Sequence, residues 1–273
     1  MTNPTTTVEL ELRTPYMLAE VVDGIGWMTF NNPERRNAMK LEMNEAIVDI
    51  LGAFQADDSV RVVVMQGAGD KAFVSGADIS EFETHRSTPA GREHFDAVAA
   101  AAGRAFAELD KPLIAKIRGF CMGGGLATAL SADIRITAAD GQFAIPAARL
   151  GLGYGFAGIK KLVSLVGPAM VNEIMMSARR FSADEAAAMG LVNRVVPGGE
   201  LDAAVAELAA QIAANAPLTV KAAKAAVQEA VKDPDRRDLA RVEELVENCF
   251  RSEDYVEGRQ AFMEKRTAQF KGR

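Results

Sequence analysis

Two glycine-containing turns in the sequence have residue types that can stabilise negative charge on an oxygen atom. They are residues 74–79 (VSGADI) and 119–126 (GFCMGGGL), and each follows a predicted strand and precedes a predicted helix. Small residues at such turns let a ligand approach the main chain closely. Two backbone N–H groups directed at one oxygen can stabilise an oxyanion, and the start of a helix adds a favourable dipole. A single GGG turn is usually only structural, so the hypothesis depends on both turns together.

The sequence does not fit the common motifs for nucleotides, metals or catalytic cysteines. G-x-x-x-x-G-K-[ST] is absent, and the MGGGLA turn lacks the spacing of G-x-G-x-x-G with its acidic partner. Cys121 and Cys249 match neither a metal motif nor a disulfide framework, and His85 and His94 are too few for a histidine-rich site. Cys121 has no histidine or aspartate paired with it in sequence, so we expect a buried small side chain there. We expect no metal site.

The composition is typical of one large globular domain, or of a core with a small appendage. The chain has 273 residues, of which 49% are hydrophobic and 25% charged, and its net charge is −6. No stretch is basic enough to follow a nucleic-acid backbone, although a local basic pocket for a phosphorylated ligand is compatible with this balance. Residues 1–7 are polar, and no apolar run reaches the length of about 18 residues that spans a membrane. We therefore expect a cytoplasmic protein without a membrane partner.

The elements that must position the two turns follow from apolar periodicity. Residues 18–22 and 25–30 flank Asp23-Gly24, which is a strong hairpin signal. Apolar residues three and four positions apart predict an amphipathic helix: Met43, Ile47, Ile50, Leu51 and Phe54. Further predictions are strand 60–65, a polar surface stretch at 81–92, helix 95–109, strands 113–117, 133–137 and 143–145, and a helix that starts at Ser182 with Glu185 completing a capping box. Helical patterns dominate after about residue 157, so we predict an α/β or α+β layered core with a helical extension.

Further motifs stand in a fixed order around the two turns: 32–39 (NPERRNAM), 71–78 (KAFVSGAD), 117–125 (IRGFCMGGG), 132–134 (ADI), 187–196 (AAMGLVNRVV), 214–221 and 252–265. From about residue 17 to the C-terminus they resemble the crotonase (enoyl-CoA hydratase/isomerase) superfamily. The resemblance implies an α/β fold with a crotonase-like spiral of ββα units over residues 17–196, after a flexible N-terminus at 1–16. Residues 197–273 would form a C-terminal helical region that assembles homotrimers or dimers of trimers. The implied ligand is an acyl-CoA thioester, with no cofactor beyond the CoA of the substrate.

By position, the resemblance assigns the oxyanion-hole donors to the N–H groups of Ala77 and Gly124. It places the adenine and pantetheine of CoA near residues of the first turn and of the motif at 32–39: Arg36, Ala38, Ala77, Asp78 and Ile79. Phe262 and Lys265 match positions that help to enclose CoA, often across a subunit boundary. Without the resemblance, Phe262 would be interpreted as helix-packing surface and Lys265 as a solvated charge.

The sequence departs from the family pattern where acid–base groups are expected. Hydration of an enoyl thioester needs proton-transfer groups on both sides of the double bond, commonly two glutamates. The matching positions are Ala127, two residues beyond the GGG, and Ala147, after the proline of a Phe-x-x-Pro strand. A third acidic position, used by dienoyl isomerases and dehalogenases, aligns with Gly155. We therefore do not expect ordinary two-glutamate hydration.

Tyr154 stands where many hydratases have proline, and methylmalonyl-CoA decarboxylase resembles this chain in having a tyrosine there. The tail from Ser252 to Arg266 is also similar to that enzyme. Loss of CO₂ forms a thioester enolate, and no base is needed for this step. A carboxylate in the site would repel a malonyl-type substrate. The decarboxylase has a histidine at the position of Ala77, however, and Tyr154 could equally be a core aromatic residue.

Several alternatives remain open from the sequence. Hydratase-type activity could use other side chains in place of the two glutamates. The candidates are Arg149, Glu81, His85 and His94, although a subunit contact suits Arg149 better and a surface position suits the other three better. A second class is a non-catalytic CoA-binding family member that kept the pocket. A third class, RNA binding, occurs among relatives, but the acidic charge balance weighs against it.

Overall fold

The computed structural model describes residues 7–78, 80, 81 and 87–273, so Ile79 and His85 lie outside the described residues. In chain order the strands are β1 (Thr7–Glu9), β2 (Met17–Val22), β3 (Ile25–Phe30), β4 (Val62–Gly67), β5 (Ala72–Val74), β6 (Leu113–Ile117), β7 (Phe120–Met122), β8 (Ile134–Ala138), β9 (Gln142–Ala144), β10 (Phe181–Ser182) and β11 (Arg194–Val196). The helices are α1 (Leu41–Ala56), α2 (Pro89–Glu108), α3 (Gly124–Ala129), α4 (Phe156–Ser177), α5 (Ala183–Ala188), α6 (Leu201–Ala213), α7 (Pro217–Ala230), α8 (Leu239–Arg251) and α9 (Glu253–Glu264). Short 3-10 turns occur at Pro33–Arg35, Pro146–Leu150, Gly198–Glu200 and Pro234–Arg236.

The larger sheet has the strand order β1-β2-β3-β4-β6-β8-β11. Its first three strands are antiparallel, and the strands that follow are parallel. β2 and β3 form the predicted hairpin, because Asp23 and Gly24 have the positive φ angles, 51° and 78°, that suit its two-residue turn. Residues 1–16 were expected to be flexible, but Thr7–Glu9 pairs with the otherwise open edge of β2, whose free main-chain groups favour an additional strand.

Alternate residues of the central strands face two separate layers of helices. On β4, Val63 and Met65 pack in the cluster that includes α1 and α2, whereas Val62 and Val64 pack in the cluster that includes α6. This alternation is the two-residue period of a strand, and it explains why the predicted strand is apolar on both faces. The predicted apolar stripe of α1 is confirmed, since all its members are buried.

The smaller sheet, of order β10-β9-β7-β5, carries the two glycine turns. β5, β7 and β9 are parallel, and β10 is antiparallel to β9. Because parallel strands end at the same edge, β5 and β7 deliver the turns that follow them to neighbouring positions.

Polar contacts join α7 and α8 to the core. Lys224 of α7 donates to Asp133 at 2.9 Å and to the main-chain oxygen of Lys111 at 2.7 Å. Asp110 accepts from Lys221 at 2.7 Å and from Arg241 at 3.2 Å. The predicted helical extension is thus present: α6 packs apolar side chains on the larger sheet, and polar contacts join α7 and α8 to the core.

Those helices leave a large apolar groove open to solvent. Its volume is about 1060 Å³, and α7, α8, α9 and Phe270 of the tail line it. Large apolar side chains remain exposed on α8 and α9: Leu239, Val246, Phe250, Val256, Phe262 and Met263. Contiguous exposed apolar surface of this kind marks an interaction site.

Within the described ranges, no individual helix has the length and hydropathy of a membrane span. One pair, Gly198–Ala213 with Pro217–Ala230, reaches that length only across a bend of 107°.

Candidate active site

The first glycine turn is fixed beside the loop that precedes α1. The Ser75 N–H donates to the main-chain oxygen of Arg36 at 3.1 Å. The Met39 N–H donates to Gly76 at 2.7 Å, and the Asp78 N–H returns to Met39 at 2.9 Å. These bonds form a short parallel bridge between Met39 and Ala77, so residues 36–39 run alongside the turn where the resemblance places CoA.

Asn37 holds that loop in place, a role that its position in the motif at 32–39 did not predict. Its side chain is fully buried, its Oδ1 accepts the Asn32 N–H at 2.9 Å, and its Nδ2 donates to Ala68 at 3.0 Å and to Ala72 at 2.8 Å. Both Arg36 and Asn37 have positive φ angles, 53° and 56°. An asparagine beside a short turn is the available sequence signal, because asparagine tolerates this backbone region better than other residues with a Cβ.

The second glycine turn leads into α3, and close packing sets its position. The Gly123 N–H donates to the main-chain oxygen of Ala144 at 2.8 Å, which ties the turn to β9. A Cβ atom on Gly125 would lie 2.1 Å from the main-chain oxygen of Val74, so only glycine allows α3 to reach the end of β5.

The packing of α3 brings the two turns together. A Cβ atom on Gly124 would lie 3.7 Å from the amide nitrogen of Ala77. Neither amide donates a hydrogen bond to another described residue. This is expected at Gly124, because the first N–H groups of a helix have no acceptor within it. Gly124 is exposed and Ala77 is half-buried, so a ligand oxygen can approach both donors.

Ala127 and Ala147, the positions where the resemblance implies glutamates, lie on the elements around these donors. Ala127 is exposed on α3, one turn beyond Gly123, whose main-chain oxygen accepts the Ala127 N–H at 3.0 Å. Ala147 is 7% exposed and lies in the turn that starts at Pro146. The Cδ of Pro146 is 3.8 Å from the position of a Cβ on Gly123, so this turn packs beside the second glycine turn. Methyl groups in both positions can neither donate nor accept a proton.

Tyr154 presents a phenol with no protein partner in the described part of the chain. Its ring is half-buried and packs closely on α4, where a Cβ atom on Gly158 would lie 2.6 Å from its Cε1. Burial raises the pKa of Tyr154 above the usual value of a phenol, so its hydroxyl stays protonated near neutral pH. A protonated hydroxyl without a protein acceptor is available to a ligand.

Several other predicted site residues have different surroundings. The Glu81 carboxylate accepts the Leu41 N–H at 2.9 Å, so it stabilises the start of α1. Arg149 is exposed at the end of its turn, and His94 is exposed on α2. Cys121 is buried, as expected, and burial raises the pKa of its thiol. Among the residues that the structure describes, no group of three or more His, Cys, Asp or Glu is arranged to hold a metal ion.

The residues expected around CoA divide into two groups. Arg36, Ala38 and Asp78 lie in the paired segments at the first turn, and Asp78 accepts from the N–H and hydroxyl of Ser80, which lower the pKa of its carboxyl. Phe262, which is 84% exposed, and Lys265 lie on or at the end of α9. The groove that Phe262 lines contains no residue of either glycine turn. One chain therefore does not bring these two groups together.

Comparison with known proteins identifies the family. The model of the family "Enoyl-CoA hydratase/isomerase" matches residues 20–273. The chain belongs to the enoyl-CoA hydratase/isomerase family. It is 37% identical over 247 residues to a short-chain-enoyl-CoA hydratase from Clostridium acetobutylicum, covering 90% of this chain and 94% of the relative. It is 35% identical over 254 residues to a crotonyl-CoA hydratase from Syntrophomonas wolfei subsp. wolfei, covering 93% and 97%.

Solved structures show the same relationship. A crystal structure of an enoyl-CoA hydratase/carnithine racemase from Magnetospirillum magneticum has a TM-score of 0.88 and 36% identity, covering 95% of this chain and 97% of that one. An enoyl-CoA hydratase from Bacillus anthracis has a TM-score of 0.88 and 30% identity, covering 94% of this chain and 100% of that one. The predicted superfamily and the α/β fold with C-terminal helices are therefore confirmed. The chain is an enzyme of the hydratase/isomerase superfamily.

Proposed function

We propose that this chain binds an acyl-CoA thioester and holds its carbonyl oxygen between the N–H groups of Ala77 and Gly124. The observation that carries the proposal is the proximity of two amides that have no acceptor among the described residues, one of them at the start of α3. Such donors stabilise the enolate oxygen more than the neutral carbonyl, because they act on charge that develops during the reaction. No cofactor is proposed beyond the CoA of the substrate.

The proposed CoA contacts lie on the two paired segments of the first turn. Arg36, Ala38, Ala77 and Asp78 are held beside one another by the main-chain hydrogen bonds from Ser75 to Arg36, from Met39 to Gly76 and from Asp78 to Met39. Ile79 completes the set that the family resemblance implies, outside the described residues. The main chain can thus contact the adenine and pantetheine while the thioester occupies the space between the amides.

The reaction proposed for this site proceeds through a thioester enolate without two glutamates. Ala127 and Ala147 leave no carboxylate to activate water, which weighs against ordinary hydration. Glu81 is engaged at the start of α1, so it does not replace them in this arrangement. Tyr154 then has the role of proton donor, since its phenol is protonated and has no described partner.

Decarboxylation of a methylmalonyl-type thioester is the alternative that the tyrosine favours. The bond between the α-carbon and the carboxylate breaks, CO₂ leaves, and the bonding electrons form the enolate whose oxygen the two amides stabilise. A proton then returns to the α-carbon, for which Tyr154 is the proposed source. A non-catalytic CoA-binding protein is the second alternative, and it would keep the free amides without turnover.

Self-association is a further part of the proposal. Apolar side chains on α8 and α9 and the groove beside them are exposed to water. Contact with another protein surface would bury them. A homotrimer or dimer of trimers would cover them and carry Phe262 and Lys265 towards the CoA of a neighbouring copy.

The proposal is tested with Gly124→Pro, compared with Gly124→Ala. Proline is well tolerated at the first position of a helix but has no N–H, whereas alanine keeps the donor at an ordinary contact distance from Ala77. Loss of such a donor typically lowers turnover by about 10²–10³-fold.

The assay is a panel of crotonyl-, methylmalonyl- and longer acyl-CoA thioesters with products identified by mass spectrometry. We expect turnover of at least one thioester, strongly reduced in Gly124→Pro and less in Gly124→Ala. Equal activity of the two variants would contradict the role of the Gly124 N–H. CoA binding without any turnover would support the non-catalytic alternative.

A further inference from the structure

Two arginine side chains lie on one aromatic ring at the start of the strand that leads into the second glycine turn. The guanidinium carbon of Arg36 is 4.9 Å, and that of Arg180 is 5.3 Å, from the centroid of the Phe120 ring. Phe120 is half-buried at the first position of β7, and both arginines are exposed. They come from the two edges of the smaller sheet, since Arg36 lies beside the edge strand β5 and Arg180 immediately precedes the other edge strand, β10.

No carboxylate in the described part of the chain neutralises the charges of these two arginines. In the described part of the chain, neither forms an ion pair with a carboxylate. The neighbouring Arg179, in contrast, bonds to Glu173 and to Glu185, each at 2.7 Å. A ring attracts a cation weakly at an exposed site, but two cations on one ring also repel each other. An anion that contacts both would remove the repulsion.

The backbone at Arg36 also indicates a ligand site. Arg36 and Asn37 are consecutive non-glycine residues with positive φ, which costs conformational free energy. The buried Asn37 side chain maintains this conformation, and the main-chain oxygen of Arg36 accepts the Ser75 N–H. The structure thus fixes Arg36 against the segment that supplies the Ala77 amide. Strained residues that the surrounding structure holds in place tend to cluster at binding sites.

The position of the ring fits the length of a CoA ligand. Phe120 precedes Gly124 by four residues, which corresponds to about 13 Å or less at the rise of an extended chain. A CoA thioester bound at Ala77 and Gly124 has its diphosphate at the far end of the pantetheine arm. A cationic contact at the opposite end of β7 from Gly124 therefore suits the diphosphate rather than the acyl group.

We propose that Arg180 and Arg36 together bind the diphosphate of CoA, with the Phe120 ring fixing both guanidinium groups. The inference rests on the proposed function, because the thioester must occupy the space between the two amides. Arginine suits the role, since its planar guanidinium can donate two hydrogen bonds to one phosphate. Arg180 would then contribute to affinity for CoA without touching the reacting atoms.

The test measures binding to wild type, Arg180→Gln and Arg194→Gln by calorimetry. Arg194 is an exposed arginine on β11 of the larger sheet, so its variant has the same change of charge away from the ring. The probes are CoA, 3′-dephospho-CoA, pantetheine and ADP. We expect Arg180→Gln to weaken CoA and 3′-dephospho-CoA by about fivefold, which is modest because the group is exposed. Pantetheine binding and the Arg194→Gln variant should match wild type.

Salt provides a second readout. The Arg180 effect should shrink between about 0.1 M and about 1 M salt, because the screening length falls from about 10 Å to about 3 Å. Equal CoA affinity of wild type and Arg180→Gln would overturn the proposal. So would a loss confined to CoA, which would assign the contact to the 3′-phosphate, or a loss shared by pantetheine, which would indicate a structural effect.

The ADP arm separates this inference from the proposed function. If the wild type binds no CoA, the proposed function fails. ADP binding that Arg180→Gln weakens would still support a diphosphate site on Phe120, whereas absence of ADP binding would remove it.

Discussion

Replacing Gly158 by alanine tests whether the Tyr154 ring has the position that its proposed role requires. The new Cβ would lie 2.6 Å from the ring Cε1, whereas carbon atoms in ordinary contact are about 3.5–4.0 Å apart. The ring must therefore move outward by about 1 Å, and a misplacement of this size can lower turnover by about 10²-fold. Crowding should lower the free energy of unfolding by about 1–3 kcal/mol, whereas the higher helix propensity of alanine should raise it by about 0.5–1 kcal/mol. We therefore expect a net destabilisation of roughly 1 kcal/mol.

The assay has one readout that does not depend on turnover. Burial raises the pKa of Tyr154, so an outward movement that hydrates the phenolate should lower this pKa towards the value of a free phenol, about 10. The difference between the ultraviolet titration curves of the wild type and of Tyr154→Phe isolates the signal of this tyrosine. The raised pKa also means that stability is lost as pH rises above about 10, because the folded state disfavours the charged form. Tyr154→Phe should remove that loss.

The control is Gly103→Ala on α2. Gly103 is also a helical glycine, but no described atom lies within 4 Å of its Cβ position. It should gain stability without changing turnover or the phenol pKa. If Gly158→Ala folds and keeps both the wild-type pKa and wild-type turnover, the reasoning about the Tyr154 ring is refuted.

Three further predictions concern catalysis, stability and assembly. Ala127→Glu with Ala147→Glu should raise crotonyl-CoA hydration above a weak wild-type rate, since each acid–base group contributes roughly 10²–10⁴-fold; an ordinary hydratase rate in the wild type would contradict this interpretation. Asn37→Ala should lower the free energy of unfolding in urea by about 3–5 kcal/mol, because it leaves buried partners unsatisfied and places alanine at positive φ. The control Asn44→Ala should cost less than about 1 kcal/mol, because Asn44 is half-buried on α1 and its side chain donates a long hydrogen bond of 3.4 Å to the main-chain oxygen of Lys40. Phe262→Glu should shift the particle mass in light scattering from a trimer or hexamer to smaller species and weaken CoA binding; a monomeric wild type with full CoA affinity would contradict the assembly.

Local patterns in the sequence were sufficient to predict many of the elements. Asp23-Gly24 predicts the hairpin because its two residues alone satisfy the turn. Ser182 and Glu185 predict the start of α5, and their reciprocal bonds of 3.2 Å and 2.8 Å confirm the capping box. The α1 stripe likewise depends on residues one turn apart. Each of these signals lies within a few neighbouring residues, so chain order alone reveals it.

Element boundaries were less accurate where a short polar signal was overlooked. The helix expected to begin at residue 95 starts at Pro89, where Thr88 Oγ1 accepts the Gly91 N–H at 3.1 Å. Proline at the first helical position after a threonine cap is a recognisable start signal. Of the polar surface stretch predicted at 81–92, residues 82–86 lie outside the described residues, and the part from Pro89 is the start of α2.

The sequence by itself determined the family motifs, the order of the two turns and the presence of alanine at positions 127 and 147. Only the tertiary structure decided that the amides of Ala77 and Gly124 are adjacent and have no acceptor among the described residues, and that Arg180 and Arg36 lie on the same Phe120 ring. These relationships join segments far apart in the chain. They depend on the register of the smaller sheet and on the approach of α3 to β5, which long-range hydrogen bonds and close packing set and no local pattern encodes.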